Sequence, residues 1–251
     1  MAMTEELAPH YDGTFFERLA HGARPSAAAV IPLVLKLARP ASVLDVGCGV
    51  GSWLAEWISA GVPDVLGLDG DYVDRAALEI PAANFQSADL SHPFSLGRRF
   101  DLVQSLEVAE HLEESCADRF VESLTAHADT VLFSAAIPGQ GGTHHVNEQW
   151  PSYWIANFAR HGFRAFDVIR PAIWTDPVIE YWYRQNAMLF SRTLSFEAGP
   201  TCTDIVHPDF WAAHQEADQD THPPLSRLLR HLPGSAQAAA RNRLRPLLGK
   251  H

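Results

Sequence analysis

An α/β fold built on one largely parallel sheet is predicted by three observations. Apolar, β-branched segments alternate with helix-patterned ones through the middle of the chain. The connections between them are short, which suits right-handed helical crossovers. The first such strand also runs into a glycine-rich turn that opens a helix.

The elements follow in order. Residues 42–46 (SVLDV) read as a first buried strand and 52–60 as the helix behind it; 64–68 (DVLGL) is a second strand, 72–78 a second helix and 84–87 a short third strand. Residues 100–106 (FDLVQSL) give a fourth strand, 116–127 a helix and 130–135 (TVLFSA) a fifth strand. A helix over 152–160 leads to strands at 163–169 and 188–193. Ahead of the sheet, residues 1–41 hold Phe15, Phe16 and Leu19, then Val30, Ile31, Val34 and Leu35 at helical spacing, with Pro25 between the two groups. They are expected to form two cap helices. The sheet domain occupies 42–198, with an insertion at about 138–160. Residues 199–251 are rich in Pro and His, end in an Ala/Arg/Leu segment of helical propensity, and form an appendage.

Composition narrows the function. A chain of 251 residues, 47% hydrophobic, can bury one substantial core. Its longest apolar runs fall short of a bilayer span, and Glu5 and Glu6 stand where a secretory signal needs basic residues, so a cytoplasmic protein is expected. Cys48, Cys116 and Cys202 offer neither a disulfide framework nor paired zinc-ligand spacing. The net charge is −11, and it is uneven: residues 1–220 carry 13 Lys and Arg against all 30 Asp and Glu, while Arg227, Arg230, Arg241, Arg243, Arg245 and Lys250 lie beyond. Such a body repels a long polyanion. The expected partner is a small-molecule acceptor and neither nucleic acid nor membrane; self-association into a homo-oligomer stays open.

The most informative segment is Val43-Leu44-Asp45-Val46-Gly47-Cys48-Gly49-Val50-Gly51-Ser52. A strand, a glycine turn and a helix let a ligand approach backbone N–H groups at the positive end of a helix dipole. Dinucleotide-binding turns place their third glycine one position later, where this chain has Ser52. An acid, Asp45, precedes the first glycine by two residues; Asp69 ends the second strand and Asp89 follows the third. In this combination residues 40–195 resemble the class I S-adenosylmethionine-dependent methyltransferases. The resemblance implies a Rossmann-like sheet, mostly parallel with an antiparallel last strand. It further implies that Gly47, Gly49 and Gly51 form the turn under the methionine part of S-adenosylmethionine, with Asp45 reaching its amino group. Asp69 would accept from the ribose hydroxyls and Asp89 from the adenine amino group. The Leu90 N–H would meet the ring, and the Gln104 or Ser105 backbone would face the cofactor amine.

After the fourth strand comes Glu107-Val108-Ala109-Glu110-His111. If this segment turns helically, both acids and the imidazole share one face and can hold a divalent metal, given further ligands. A loop with His144 and His145 follows the fifth strand and is a source of them. The E-x-x-E-H text with a downstream His resembles ubiquinone-pathway O-methyltransferases and the metal-dependent small-RNA 2′-O-methyltransferases. By that pattern Glu107, Glu110, His111 and His145 would be ligands to Mg²⁺ or another divalent ion, with His144 the alternative fourth. His144 and His145 are equally candidates for a general base. Aromatics from Trp150 to Tyr183 supply core and acceptor wall together.

The expected activity is therefore O-methylation of a sugar-bearing or polycyclic secondary metabolite. Three alternatives stand beside it: RNA 2′-O-methylation, N- or C-methylation of a small molecule, and a cofactor-binding protein whose transfer chemistry has decayed.

Overall fold

Val43 and Asp45 face one side of strand β1 (Ser42–Val46) while Leu44 and Val46 face the other, and all four are buried. A strand buried on both faces belongs in the middle of a three-layer fold. The computed structural model, which describes residues 13–196 and 204–213, has that architecture. A seven-stranded sheet runs in the order β3-β2-β1-β4-β5-β7-β6. Its other strands are β2 (Asp64–Asp69), β3 (Phe85–Ser87), β4 (Leu102–Leu106), β5 (Thr130–Ser134), β6 (Arg164–Phe166) and β7 (Met188–Ser191). β1 to β5 pair in parallel, and β7 lies antiparallel between β5 and β6, as expected.

Helices α1 (Gly13–Ala38) and α2 (Ser52–Ser59) cover one face, burying Val30, Ile31, Val34, Leu54 and Trp57 against Val43, Leu102 and Leu132. Helices α3 (Ala117–His127) and α4 (Pro151–Arg160) cover the other, where Phe120, Leu124, Trp154 and Phe158 pack on Val103, Phe133 and Phe190. Short helices α5 (Arg170–Ile173) and α6 (Tyr181–Asn186) fill the β6–β7 connection. No helix among the described residues is long and apolar enough to cross a membrane.

Several expected elements are corrected. The two cap helices are one: α1 runs through Pro25 and Pro32. An interior proline costs about 3 kcal/mol, but Ala27, Val30, Ile31 and Val34 beyond Pro25 are fully buried, and the Ser26 hydroxyl donates to the Gly22 carbonyl (2.8 Å) next to the gap in the ladder. The helix expected over 72–78 shrinks to one 3-10 turn, Arg75–Ala77, in which no residue is buried. It has no apolar face to hold it. The strand expected over 163–169 ends at Phe166, after which Arg170, fully buried, pairs with Asp167 (2.6 Å). Residues 204–207, placed in the appendage by the sequence, belong with the first unit, Met1–His207. Asp204 accepts from Ser152 N (2.9 Å) and Oγ (2.6 Å), and the Gln185 amide bonds the backbone of Ile205 and His207. Residues 208–213 are helical and open a second unit. The basic residues from Arg227 onward lie outside the described residues.

Candidate active site

At the carboxyl ends of β1, β2 and β4 the chain encloses a cavity of about 370 Å³. Its near wall is the glycine turn. Gly47 and Gly51 have φ of 85° and 86°, a left-handed conformation that side chains disfavour. A Cβ on Gly47 would also run into Val108, so the turn can pass under the β4 exit only as glycine. The turn is stitched to β2: Gly47 N and Cys48 N donate to the Leu68 carbonyl (2.8 and 3.1 Å), and Gly49 N donates to Asp69 Oδ2 (2.6 Å). Asp69 Oδ1 accepts from Gly70 N (2.7 Å) and the Tyr72 hydroxyl (2.6 Å). Burial raises the Asp69 pKa, and these three donors pull it back.

Asp45 is the register partner of Gln104 on β4. Burial pushes the Asp45 carboxyl up to about 7, opposed by a hydrogen bond from Gln104 and reinforced by nearby Asp69. Asp89 and Leu90 line the far end. Burial works against the Asp89 charge, yet bonds from Ser91 and His92 hold its pKa below the usual value.

The opposite wall comes from the β4 exit, the loop after β5 and α6. Glu107 has a φ of 56°, and the helical turn begins only after it, at Ala109. The expected single helical face over Glu107, Glu110 and His111 is thus replaced by a kinked exit. Glu107 accepts from Gln140 Nε2 (2.8 Å) and Asn186 Nδ2 (3.1 Å). Glu110 is fully buried, and its carboxyl makes no hydrogen bond of good geometry among the described residues; the groups beside it are the backbone of Ala136 and of Glu110 itself and the carboxyl of Glu107. Burial, then the charge of Glu107, raises its pKa well above the ordinary value.

Ligand atoms of Glu110, His111 and His145 lie within 4.8 Å of one another. Both imidazoles are oriented from behind. His111 Nδ1 donates to the His144 carbonyl (3.2 Å) and His145 Nδ1 to Glu148 Oε1 (2.9 Å), which puts the lone pair of His145 on Nε2. Burial pushes His111 down to about 4. The loop itself is tied down, because Val146 N and Asn147 N donate to the Glu110 carbonyl (2.9 and 3.0 Å) and Glu148 accepts from Gly139 N and Gly141 N (both 2.7 Å).

Of the residues the sequence singles out, Asp45, Gly47, Gly49, Asp69, Asp89, Leu90, Gln104, Glu107, Glu110, His111 and His145 line the cavity. Gly51, Ser105 and His144 do not. Gly51 stands behind the turn at the start of α2, Ser105 is fully buried, and His144 is exposed, with its carbonyl accepting from His111. Glu107 lies outside the three-residue ligand group. Trp154 and Phe158 are core, and the aromatic wall is Tyr181, Trp182 and Tyr183 on α6. Sequence reasoning missed Tyr72, Gln140, Glu148 and Asn186. Only Tyr72, three residues after a strand-end acid, carried a local signal.

The profile of a family described as a methyltransferase domain matches residues 18–168. The chain belongs to that family. It is an S-adenosylmethionine-dependent methyltransferase. No curated protein matches it. Similar solved structures include the sugar N-methyltransferase KedS8 from Streptoalloteichus (20% identity, TM-score 0.58, covering 72% of this chain and 93% of that one). DesVI from Streptomyces venezuelae matches at 17% identity and TM-score 0.54, over 70% and 96% of the two chains. CalS10, an amino pentose methyltransferase from Micromonospora echinaspora solved with the cofactor bound, matches at 20% and 0.53, over 73% and 98%. At these identities the methyltransferase shares their fold.

Proposed function

We propose that the methyltransferase acts on a hydroxyl of a small diol-bearing acceptor, a sugar or sugar-bearing metabolite, with a divalent cation held by Glu110, His111 and His145. The observation that carries this reading is Glu110. A carboxyl fully removed from water beside a second acid and without a well-formed hydrogen bond is costly to ionise, and a cation between it and the two imidazoles offsets that cost. An imidazole-rich set suits Mn²⁺, Co²⁺ or Zn²⁺ better than Mg²⁺.

A cation, when bound, makes a contacting hydroxyl more acidic, which an unactivated alcohol needs. The chain's own groups do the rest. Asp45, Asp69 and the glycine turn position the donor, with Asp89 and Leu90 at its far end, while α6 presents Tyr181 and Trp182 to the acceptor. As the acceptor oxygen bonds the methyl carbon, the carbon–sulfur bond breaks and sulfur keeps the electron pair. The hydroxyl proton passes to Glu107, whose basicity burial raises and whose position Gln140 and Asn186 fix.

Excess chelator should abolish turnover, added Mn²⁺ or Co²⁺ should restore it, and Glu110→Ala should be inert to both. Full turnover in excess chelator rejects the cation. In that event the second reading applies: His145, oriented by Glu148, is the general base, and the acid pair Glu107/Glu110 draws an ammonium group. Amino-sugar N-methylation then becomes the better assignment, in line with the stated activities of KedS8 and CalS10. A panel of hydroxy and amino sugars assayed for methyl transfer separates the two. The nucleic-acid alternative predicts salt-dependent RNA binding that is lost on removing residues 222–251.

A further inference from the structure

We infer that Trp57, which does not line the cavity, is a positioning residue for the cofactor's amino-acid end, acting through Gln104 on Asp45. The inference rests on the reading of Asp45 as the partner of the cofactor ammonium. Trp57 is fully buried on the sheet-facing side of α2, and its Nε1 lies 2.7 Å from Gln104 Oε1. An indole N–H can only donate, so the atom it meets must be the amide oxygen. The other end of the same amide, the NH₂, is thereby left for the side of Asp45, its register partner across β1 and β4, whose ionised form it favours.

The direction of that bond matters because of what else faces Asp45. Burial and the carboxylate of Asp69 both disfavour its charge, and Gln104 opposes them. Asp45 must be charged to hold an ammonium group. Without Trp57 the Gln104 amide is free to rotate and present its oxygen to the carboxylate, exchanging an attraction for a repulsion. A buried tryptophan one layer behind the site thus keeps the amide end that favours the anion turned to the strand-end acid.

The experiment measures binding of S-adenosylmethionine and of 5′-methylthioadenosine, which lacks the amino-acid end, by calorimetry. Trp57→Phe keeps the ring packing and removes the N–H. It should weaken S-adenosylmethionine about tenfold, equivalent to ~1.4 kcal/mol, and leave 5′-methylthioadenosine within about twofold. Gln104→Leu should reproduce that selective loss, and the double variant should be no weaker than Gln104→Leu alone, as members of one chain of bonds require. Equal losses for both ligands in Trp57→Phe mean a purely structural role and overturn the inference, as does no loss for either. Asp45→Asn is the control on the underlying reading. If it selectively loses S-adenosylmethionine while Trp57→Phe does not, Asp45 keeps its role and only the part assigned to Trp57 fails.

Discussion

On the glycine-turn side of the cavity, the acid at the end of β2 already has bonded partners in the absence of any ligand: Asp69 accepts from two backbone amides and a tyrosine hydroxyl. Across the cavity, Glu110 is as deeply buried, has a second acid, Glu107, beside it, and makes no well-formed hydrogen bond among the described residues. The first arrangement is a rigid cradle that a ligand joins. The second is a site whose stability is incomplete until something positive enters it. The difference teaches where each half takes its free energy from: backbone geometry on the donor side, the bound species on the acceptor side.

The largest expected effect breaks this contrast at Glu110. Replacement by Leu removes the buried carboxyl and its repulsion with Glu107 without emptying its space. Turnover should fall about 10²–10³-fold or more, as when one preorganised electrostatic group is lost, while cofactor affinity stays within about threefold, because no donor-side contact changes. The ligand-free protein should meanwhile melt higher, each ~1 kcal/mol relieved raising the midpoint by about 2–4 °C. Steady-state rates, calorimetry and a melting curve check the three parts. A lower melting temperature would show that Glu110 is already paid for by contacts within the chain.

The same cut on the donor side gives the opposite pattern. Asp69→Ala should weaken S-adenosylmethionine by about 10–100-fold, the range for losing charge-assisted bonds. It should also lower stability, since Gly49 N and Gly70 N lose their acceptor. Turnover at saturating cofactor should suffer less than affinity does. Equal losses in kcat and affinity would erase the division between the halves.

How much of this was legible in the chain follows from the same contrast. Strand-end acids and a glycine turn are local text: Asp45, Asp69 and the three glycines sit where the strand–turn–helix pattern puts them, and the parallel sense of β1 to β5 follows from short connections. The acceptor side is assembled from segments far apart. Glu107 meets Gln140 and Asn186, and His145 is set by Glu148 through a loop with no periodicity to read. The assumption that Glu107, Glu110 and His111 share a helix failed because Glu107 takes a left-handed backbone, which no spacing rule foretells for a glutamate. Two cap helices became one because tertiary burial beyond Pro25 outweighed a local propensity.

Asp45 sharpens the comparison through pH. Its folded pKa of about 7 is raised above the ordinary carboxylate value, by burial first, then by Asp69, against the bond from Gln104. The sign follows. In the ligand-free protein the stability this group contributes is full below about pH 4 and is lost as pH rises through about 7. Cofactor binding runs the other way, because the ammonium needs the anion. Affinity should therefore rise more than about tenfold between pH 5 and pH 7, and Asp45→Asn should flatten the slope. His111, with a pKa of about 4, is neutral throughout that interval and cannot supply it. A slope that persists in Asp45→Asn would assign it to the cofactor or to another acid.

The smallest effect concerns Tyr72, whose hydroxyl donates to Asp69 Oδ1 (2.6 Å) on the wall of the cavity. The same oxygen accepts from Gly70 N, and its partner oxygen from Gly49 N, so deleting one donor of three leaves the carboxylate oriented by backbone. Tyr72→Phe should weaken the cofactor only about threefold, near the net worth of one hydrogen bond. It should raise the Asp69 pKa further, because the tyrosine is the largest of the bonds that offset burial. The loss should consequently grow as pH falls. A loss of Asp69→Ala size would mean that the tyrosine, and not the glycine amides, holds the acid in place, and the cradle would then owe its rigidity to a side chain and not to the turn.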